Sequence, residues 1–272
     1  MGNDVTSRHL KLHLSILSEL GHSLVPESQI LDFGCGVGAM VAEYRNAGYD
    51  AYGCDLQVRT TWESRRVMVA PGNLTPINQA DHAFLRQIDA ENYRLPFADA
   101  CFDFVFSDQV LEHVQNHARA FAEMKRVMKP GAISLHIFPA KLKPTEGHVF
   151  VPLGGNFQNR YWLTLWALLR VRNSFQTGKG FREVAELNFK YLSGRTNYLS
   201  KPEITAAVTA CFDNVTFAEN HFIKHTYGGA RRLYPLVKWA PFIASLYSTF
   251  YCRVIFFQKP LRPFGTPLGS VE

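Results

Sequence analysis

The chain reads as an α/β protein built on a doubly wound, mostly parallel sheet, and three observations predict it. Short apolar runs recur at residues 30–33, 51–54, 84–88, 102–107 and 133–138, the first containing Asp32, the second and third followed by Asp55 and Asp89, and the fourth ending at Ser107. Amphipathic segments, at residues 39–46 and 118–128, follow the first and fourth of these runs. A glycine turn, Gly34-Cys35-Gly36-Val37-Gly38, joins the first run to the first amphipathic segment. Strands alternating with helices imply parallel pairing through crossovers. An unbroken apolar run such as 102–107 suits a central strand covered on both faces.

Taken in order, residues 5–21 carry Leu10, Leu14, Leu17 and Leu20 at helical spacing, with Gly21 as a stop. This predicts a helix over the ligand edge of the sheet. The first strand is 30–33, the first crossover helix 39–46, ended by Gly48, and the second strand 51–54, closing at Asp55. Residues 57–81 are poorly periodic and contain Pro71, Gly72 and Pro76, leaving room for one irregular helix. The third strand, 84–88, closes at Asp89, and the fourth is 102–107. A helix at 118–128 is expected to end at Lys129-Pro130-Gly131, before a fifth strand at 133–138.

The alternation then breaks. Residues 141–200 begin with a loop holding Pro144, Pro152 and two adjacent glycines. An aromatic-rich helix near 161–171 and a helical piece near 181–191 follow. An insertion this long inside a compact domain reads as a functional cap. Residues 202–211 are helix-like, 214–218 and 253–258 strand-like, and 230–250 form another apolar helical stretch. The organisation expected is one domain over 1–272. Its core is about 24–140 and 201–259, with a cap at about 141–200 and a second helical insertion at about 228–250.

A chain of 272 residues suffices for one large domain with insertions, and 47% hydrophobic with 19% charged residues is ordinary for a globular protein. The net charge of +6 comes from scattered Lys and Arg, with Arg65-Arg66 and Arg231-Arg232 the only adjacent arginine pairs. Nucleic-acid proteins concentrate such charge into a stripe, so no nucleic-acid partner is expected. The five cysteines are odd in number and lack C-x-x-C spacing, which favours small buried hydrophobes in a reducing compartment over zinc ligands or disulfides. No basic segment with an apolar core opens the sequence, and Pro235, Lys238, Pro241 and Arg253 interrupt the apolar region 233–257. The expectation is a cytoplasmic protein without a spanning helix.

The glycine turn carries the chemistry. Glycine tolerates positive φ and lets backbone approach a ligand closely, and the helix start that follows is expected to offer free N–H groups. Two ligands fit this pattern. Gly34, Gly36 and Ala39 satisfy the loose G-x-G-x-x-G/A fingerprint of a dinucleotide site. Gly34, Gly36 and Gly38 behind Asp32 equally resemble the first motif of class I S-adenosylmethionine-dependent methyltransferases. Asp32 would repel a pyrophosphate but attract an ammonium or sulfonium. Asp55, at the end of the next strand, can accept from both ribose hydroxyls of either ligand.

Asp89 discriminates between them. Gln87-Ile88-Asp89-Ala90-Glu91, then Leu95-Pro96-Phe97 and Phe102-Asp103-Phe104-Val105, resemble the second and third motifs of the methyltransferase family. Ser107-Asp108-Gln109-Val110-Leu111-Glu112-His113 resembles the "S…LEH" segment of the branch containing ubiquinone-type and natural-product methyltransferases. Arg126-Val127-Met128-Lys129-Pro130-Gly131 resembles the run before that branch's fifth strand. The matches cover about residues 28–138 in the family's order. The resemblance implies a Rossmann-like sheet of seven strands, mostly parallel with the last antiparallel, and S-adenosyl-L-methionine as cofactor. It places Asp32 with the backbone of Gly34 and Gly36 at the methionine amino end, Gly38 among the cofactor-binding residues of the same turn, and Ser107 near the methionine moiety. Asp55 would lie at the ribose, Leu56 beside the adenine, and Asp89 and Ala90 at the adenine edge.

The acceptor has to be read from the opposite side. A hydroxyl acceptor benefits from a base that removes its proton as attack proceeds. His148, in Glu146-Gly147-His148 just after the fifth strand, is the first choice, because imidazole as a residue type exchanges protons near neutral pH. His113 and Asp108 rank lower; His113 would sit early on a helix and fix a turn. No N/D-P-P-Y sequence follows the fourth strand and no metal-ligand set is recognised. The cap's Phe157, Tyr161, Trp162, Trp166 and Phe175, with Asn156, Asn159 and Arg160, would suit a sugar or an aromatic natural product. At helical spacing, most of these aromatics should form the cap's own core. Tyr234, Trp239, Phe242, Tyr247 and Phe250 beside Arg231, Arg232 and Lys238 should pack on the sheet or on a second copy as a homodimer. A membrane surface presenting a lipid-linked glycan is the alternative. The reading is O-methylation of a small molecule or glycan; its rivals are a non-catalytic S-adenosylmethionine-binding protein and a nicotinamide-linked oxidoreductase.

Overall fold

In the computed structural model, which describes residues 5–57, 83–89 and 93–261, the predicted runs become strands of one sheet. They are β1 (Gln29–Phe33), β2 (Asp50–Asp55), β3 (Leu85–Gln87), β4 (Phe102–Asp108), β5 (Met128–Pro139), β6 (Thr216–Phe217) and β7 (Cys252–Gln258). The order across the sheet is β3-β2-β1-β4-β5-β7-β6. β1 to β5 pair in parallel, with Asp32 opposite Gly53 and Phe106 and with Ser107 opposite His136. β7 runs antiparallel to β5, placing Cys252 opposite Pro139, and β6 pairs antiparallel with β7. The seven-stranded, mostly parallel sheet with an antiparallel last strand is thus observed. Its carboxyl edge gathers the ends of β1, β2, β4 and β5.

Both faces are covered. On one, α1 (Val5–Glu19), α2 (Ala39–Asn46) and α7 (Glu219–His225) pack together. There Ile16, Leu17, Val41 and Tyr44 bury against Phe104 and Phe106. On the other, α3 (His117–Val127), α6 (Lys201–Thr209) and the turn after α6 bring Phe121, Met124, Val208 and Phe212 against Phe102, Val105 and Phe257. Successive β4 side chains point to opposite faces. The run Phe102–Asp108 therefore has to be apolar nearly throughout, which is why it stood out in the sequence. At the strands' amino ends, Asp103 Oδ2 accepts from the Gln29 N–H (2.9 Å) and from Lys129 Nζ (2.7 Å), tying β1, β4 and β5 together.

Three expectations need correction. Lys129-Pro130-Gly131 does not terminate a helix: α3 stops at Val127 and the chain enters β5 at once, with Gly131 at φ +79° where the strand kinks. The stretch 230–250 is not one helix. Gly228 and Gly229, Pro235 and Pro241 divide it into a 3₁₀ turn (Gly229–Leu233), α8 (Tyr234–Trp239) and α9 (Phe242–Phe250). Proline near a helix start needs no N–H partner, so Pro235 and Pro241 act as start signals. α7 was not foreseen. It packs with α8 and α9 around Ile223, Val237 and Ala244. Residues 58–82, which include most of the stretch left as irregular, lie outside the described part.

Residues 141–200 carry α4 (Arg160–Leu168) and α5 (Phe181–Arg195), packed on each other. Val149, Val151, Leu163 and Leu192 form their small core, with Trp162 and Trp166 half-buried against it. Trp162 Nε1 donates to the Pro152 carbonyl (2.8 Å), and Arg160 pairs with Glu186 while lying 4.0 Å from the centre of the Phe189 ring. Of the five cap aromatics expected mostly in that core, only the two tryptophans join it. Phe157, Tyr161 and Phe175 are exposed.

Candidate active site

The turn after β1 adopts the strained backbone its glycines allow. Gly34, Gly36 and Gly38 have φ of +82°, +55° and +79°. A Cβ at Gly34 would lie 2.4 Å from Val110 Cγ1, and one at Gly38 would lie 2.8 Å from Leu85, whereas nothing stands within 4 Å of a Cβ at Gly36. Gly36 is therefore the point where the turn faces open space. The start of α2 keeps the expected free donors, since no described group accepts from Ala39, Met40 or Val41 N and Ala42 N is the first to bond back, to the Gly38 carbonyl (3.0 Å); the N–H groups of the turn itself are bridged. Gly34 N and Cys35 N donate to the Cys54 carbonyl (2.7 and 3.0 Å), Gly38 N to the Cys35 carbonyl (2.8 Å), and Gly36 N to Asp55 Oδ2 (2.9 Å). Bridging to the neighbouring strand uses the donors of the turn itself and leaves those of the helix start.

Three carboxylates converge on this edge. Asp32 is buried and no described residue hydrogen-bonds its carboxylate; burial, then the charges of Asp108 and Asp55, push its pKa well up. Asp55 accepts from Gly36 N and from Gln57 N (2.9 Å), and each of its oxygens keeps a second lone pair for a hydroxyl. Asp108 ends β4 just before Gln109, which itself holds a left-handed φ of +58°. Burial raises the Asp108 pKa, but the charges and bonds of His13 and His9 outweigh this and hold the carboxyl far below the usual carboxylate range. His13, fully buried on α1, bridges Asp108 (3.2 Å) and the Tyr44 hydroxyl (3.0 Å), while His9 reaches Asp108 from the more exposed side (3.4 Å). α1 is thereby clamped onto the end of β4. Its register against Asp108 spans about a third of the chain, and no local pattern announced it.

On the β2–β3 side, Leu56 is exposed and Asp89 follows β3 with its carbonyl accepting from Tyr93 N (2.9 Å). Ala90 lies outside the described residues. The loop at Leu95-Pro96-Phe97 is held by one arginine: Arg126 donates to the carbonyls of Leu95 and Phe97 (both 2.9 Å), to Asp99 (2.7 Å) and to Glu123 (2.8 Å). Two of the sequence segments singled out above are thus parts of a single contact. Ser107 is buried in β4, its hydroxyl 2.7 Å from His136 Nδ1. Ser134 donates to the Val105 carbonyl (2.8 Å) and lies 2.7 Å from His136 Nε2. With the Ser134 proton committed, Nε2–H donates to Ser134 and Nδ1 accepts from Ser107. Burial pushes the His136 pKa down to about 3, so this ring is a neutral strut.

On the β4–β5 side, the cap and the loop after β4 bring together a second group. Glu146 is buried, and its Oε1 receives His148 Nδ1 (2.6 Å) and the Tyr198 hydroxyl (2.8 Å). Its Oε2 receives the N–H groups of His148 and Val149 (both 2.7 Å). Burial raises the Glu146 pKa, but these bonds and the His148 charge outweigh it, so the carboxyl stays below its ordinary value. A carboxylate accepting from Nδ1–H leaves His148 Nε2 with its lone pair available. The His148 ring packs between His113 (4.8 Å) and Tyr191 (5.3 Å). His113 Nδ1 donates to the Arg195 carbonyl (2.8 Å), and burial lowers its pKa. Glu112, next to it, is buried with Oε2 unpartnered, and burial raises its pKa to about 7. Glu112, His117, Asn197 and Tyr198 line a small cavity there. Sequence reasoning ranked His148 first and missed the side chain that orients it. Glu146 stood two residues away, but its second partner, Tyr198, is remote in sequence.

Residues 31–135 match the family described as "Methyltransferase domain". The core is a class I methyltransferase domain. Its cofactor is S-adenosylmethionine. Among curated proteins, the chain is 28% identical over 105 residues to malonyl-[acyl-carrier protein] O-methyltransferase of Pectobacterium atrosepticum, covering 39% of this chain and 36% of that one. It is 31% identical over 139 residues to an uncharacterised methyltransferase of Mycolicibacterium vanbaalenii, covering 50% of each. The chain thus spans half or less of the length of these relatives. A solved phosphoethanolamine N-methyltransferase 2 from Haemonchus contortus superposes with a TM-score of 0.49 at 17% identity, covering 92% of this chain and 52% of that one.

The methyltransferase core fits its cofactor on independent grounds. Three carboxyl groups gather at this edge, and Asp32, without a hydrogen-bond partner among the described residues, gains from a cationic ligand that would lower its raised pKa. This favours an ammonium and a sulfonium and opposes a pyrophosphate. The nicotinamide reading fails on that count.

Proposed function

We propose that the chain is an S-adenosylmethionine-dependent O-methyltransferase of a small molecule or glycan, acting in the cytoplasm, with His148 as general base. The observation that carries this is the Glu146–His148 pair at the junction of core and cap (2.6 Å). S-adenosylmethionine supplies an electrophilic methyl group on a sulfonium. Around it, Asp32 and the carbonyls of Gly34 and Gly36 would hold the methionine ammonium. Gly38 and Ser107 shape the same end through backbone. Asp55 would accept from the ribose hydroxyls, with Leu56 against the adenine face and Asp89 and Ala90 at its edge.

The protein's remaining task is alignment, together with removal of one proton. Glu146 fixes the His148 tautomer, as a carboxylate behind an imidazole does in hydrolytic triads. Nε2 then takes the acceptor hydroxyl's proton as the oxygen attacks. Oxygen as the acceptor atom also agrees with the name of the malonyl-[acyl-carrier protein] relative. The exposed Phe157, Tyr161 and Phe175 of the cap suit a sugar ring or an aromatic nucleus.

The test is His148→Ala assayed against a panel of hydroxylated acceptors by mass increase. Transfer should fall by about 10²–10⁴-fold, while calorimetry with S-adenosylhomocysteine gives an unchanged affinity. Full transfer by the variant would refute the base. Cofactor binding by the wild type without turnover on any acceptor would favour the non-catalytic reading.

A further inference from the structure

From residue 220 to residue 271 the sequence contains no Asp or Glu, whereas Lys224, Arg231, Arg232, Lys238, Arg253 and Lys259 fall in its described part. The basic charge is therefore not evenly scattered, as its overall spacing had suggested. In the structure, Arg231, Arg232 and Lys238 are exposed, and no described carboxylate pairs with them. They border an apolar surface without a partner. On α9, Ala244 and Ser248 face inward, and Phe242, Leu246 and Phe250 recur at four-residue spacing on the outer face. Leu236 and Trp239 on α8 extend that face. Trp239 is 89% exposed, Phe242 71%, Leu246 55% and Leu236 53%. Trp239 and Phe242 flank the Ala240-Pro241 turn and so form its projecting tip.

We propose that the α8–α9 face docks on an anionic lipid bilayer, inserting Trp239 and Phe242 at the headgroup level with Arg231, Arg232 and Lys238 on the lipid phosphates. An aromatic tip rimmed by unpaired cations is the composition of an interfacial anchor. No described helix is long and apolar enough to cross a membrane, so the contact lies in the interface plane. A second copy of the chain fits less well, because a two-fold contact would set the same cations against one another. α9 ends at the carboxyl edge of the sheet. The Tyr251 carbonyl accepts from Ala140 N (3.2 Å), and Cys252 pairs with Pro139, the last residue of β5. A docked bilayer would therefore lie beside the edge that holds the methyltransferase site.

The inference does not depend on the acceptor reading, since lipid binding is measured without methyl transfer. The full chain is sedimented with phosphatidylcholine vesicles and with vesicles containing about one quarter phosphatidylglycerol. It should partition onto the anionic vesicles, and less so as salt rises. Arg231→Gln/Arg232→Gln/Lys238→Gln should lower the partition coefficient roughly a hundredfold, at about fivefold per cation. Trp239→Ser/Phe242→Ser should abolish binding and leave S-adenosylhomocysteine affinity unchanged. A wild type that stays in the supernatant overturns the proposal, as does undiminished binding by both variants. A wild-type dimer that Trp239→Ser/Phe242→Ser returns to monomer, without vesicle binding, identifies the face as a protein interface and overturns it as well.

Discussion

Replacing Glu112 by Gln should make the protein more resistant to alkali. Glu112 is buried, one carboxylate oxygen has no partner, and its folded pKa is about 7 against an ordinary 4.5. Between those values the folded state holds a proton that the unfolded state has released. Linkage then requires the stability contributed by this group to be present below pH 4.5 and lost as pH rises through 7. Integrating the two titrations gives a loss of about 2.5 kcal/mol between pH 5 and pH 8. Glutamine cannot ionise, so Glu112→Gln escapes that loss. Its amide leaves an unsatisfied N–H in the same place, but that penalty is independent of pH and cancels in the comparison. The assay is urea denaturation of wild type and variant across pH 5–8. The difference in unfolding free energy should move in the variant's favour by about 2.5 kcal/mol, or about 4 °C in Tm for a chain of this length. A difference that stays flat with pH, or moves against the variant, would refute the assignment of a neutral carboxyl to this cavity.

Other predictions concern the two halves of the site. Glu146→Gln removes the carboxylate that holds His148 Nδ1–H and should lower kcat by about 10²–10⁴-fold, with KM and S-adenosylhomocysteine affinity changed little; an active variant would show that the tautomer is fixed otherwise. Gly34→Ala meets both a φ of +82° and the Val110 methyl at 2.4 Å, and should cost about 2–4 kcal/mol by chemical denaturation. Gly36→Ala, with open space around its Cβ, should cost only about 1 kcal/mol yet weaken S-adenosylhomocysteine binding by calorimetry. The reverse ranking would mean that the ligand does not sit above Gly36. Asp32→Asn should lower S-adenosylmethionine affinity by about 10-fold or more through loss of a charge-assisted bond, while the ligand-free protein is no less stable at pH 8 because a buried carboxylate beside two others has been neutralised.

What the sequence made legible and what it hid divide by the range of the interactions. The strand-end acids Asp32, Asp55 and Asp89 and the glycines between β1 and α2 are local features. Each requires only that a short apolar run stop and the backbone turn, so their places at the carboxyl edge of the sheet could be read from the sequence alone. The free N–H groups expected at the start of α2 are local as well, whereas the bridging of the turn's own N–H groups to the Cys54 carbonyl and Asp55 depends on parallel pairing. The acceptor side depends on distant partners. His13 meets Asp108 across 95 residues, and Tyr198 meets Glu146 across 52. Neither pair has a spacing that a sequence could advertise, because the fold alone decides that α1 crosses the end of β4 and that the chain leaving α5 returns beneath the cap loop. The difference has a physical consequence. A cofactor site made of short-range turns survives changes in the insertions around it, whereas an acceptor site assembled from a cap, a loop and the link returning from α5 to α6 changes with any of them. On the proposed function, specificity for the methyl acceptor would reside in Glu112, Glu146, His148 and Tyr198 and in the cap that positions them. Exchanging the cap between methyltransferases of this fold should therefore carry the acceptor with it and leave S-adenosylhomocysteine affinity behind.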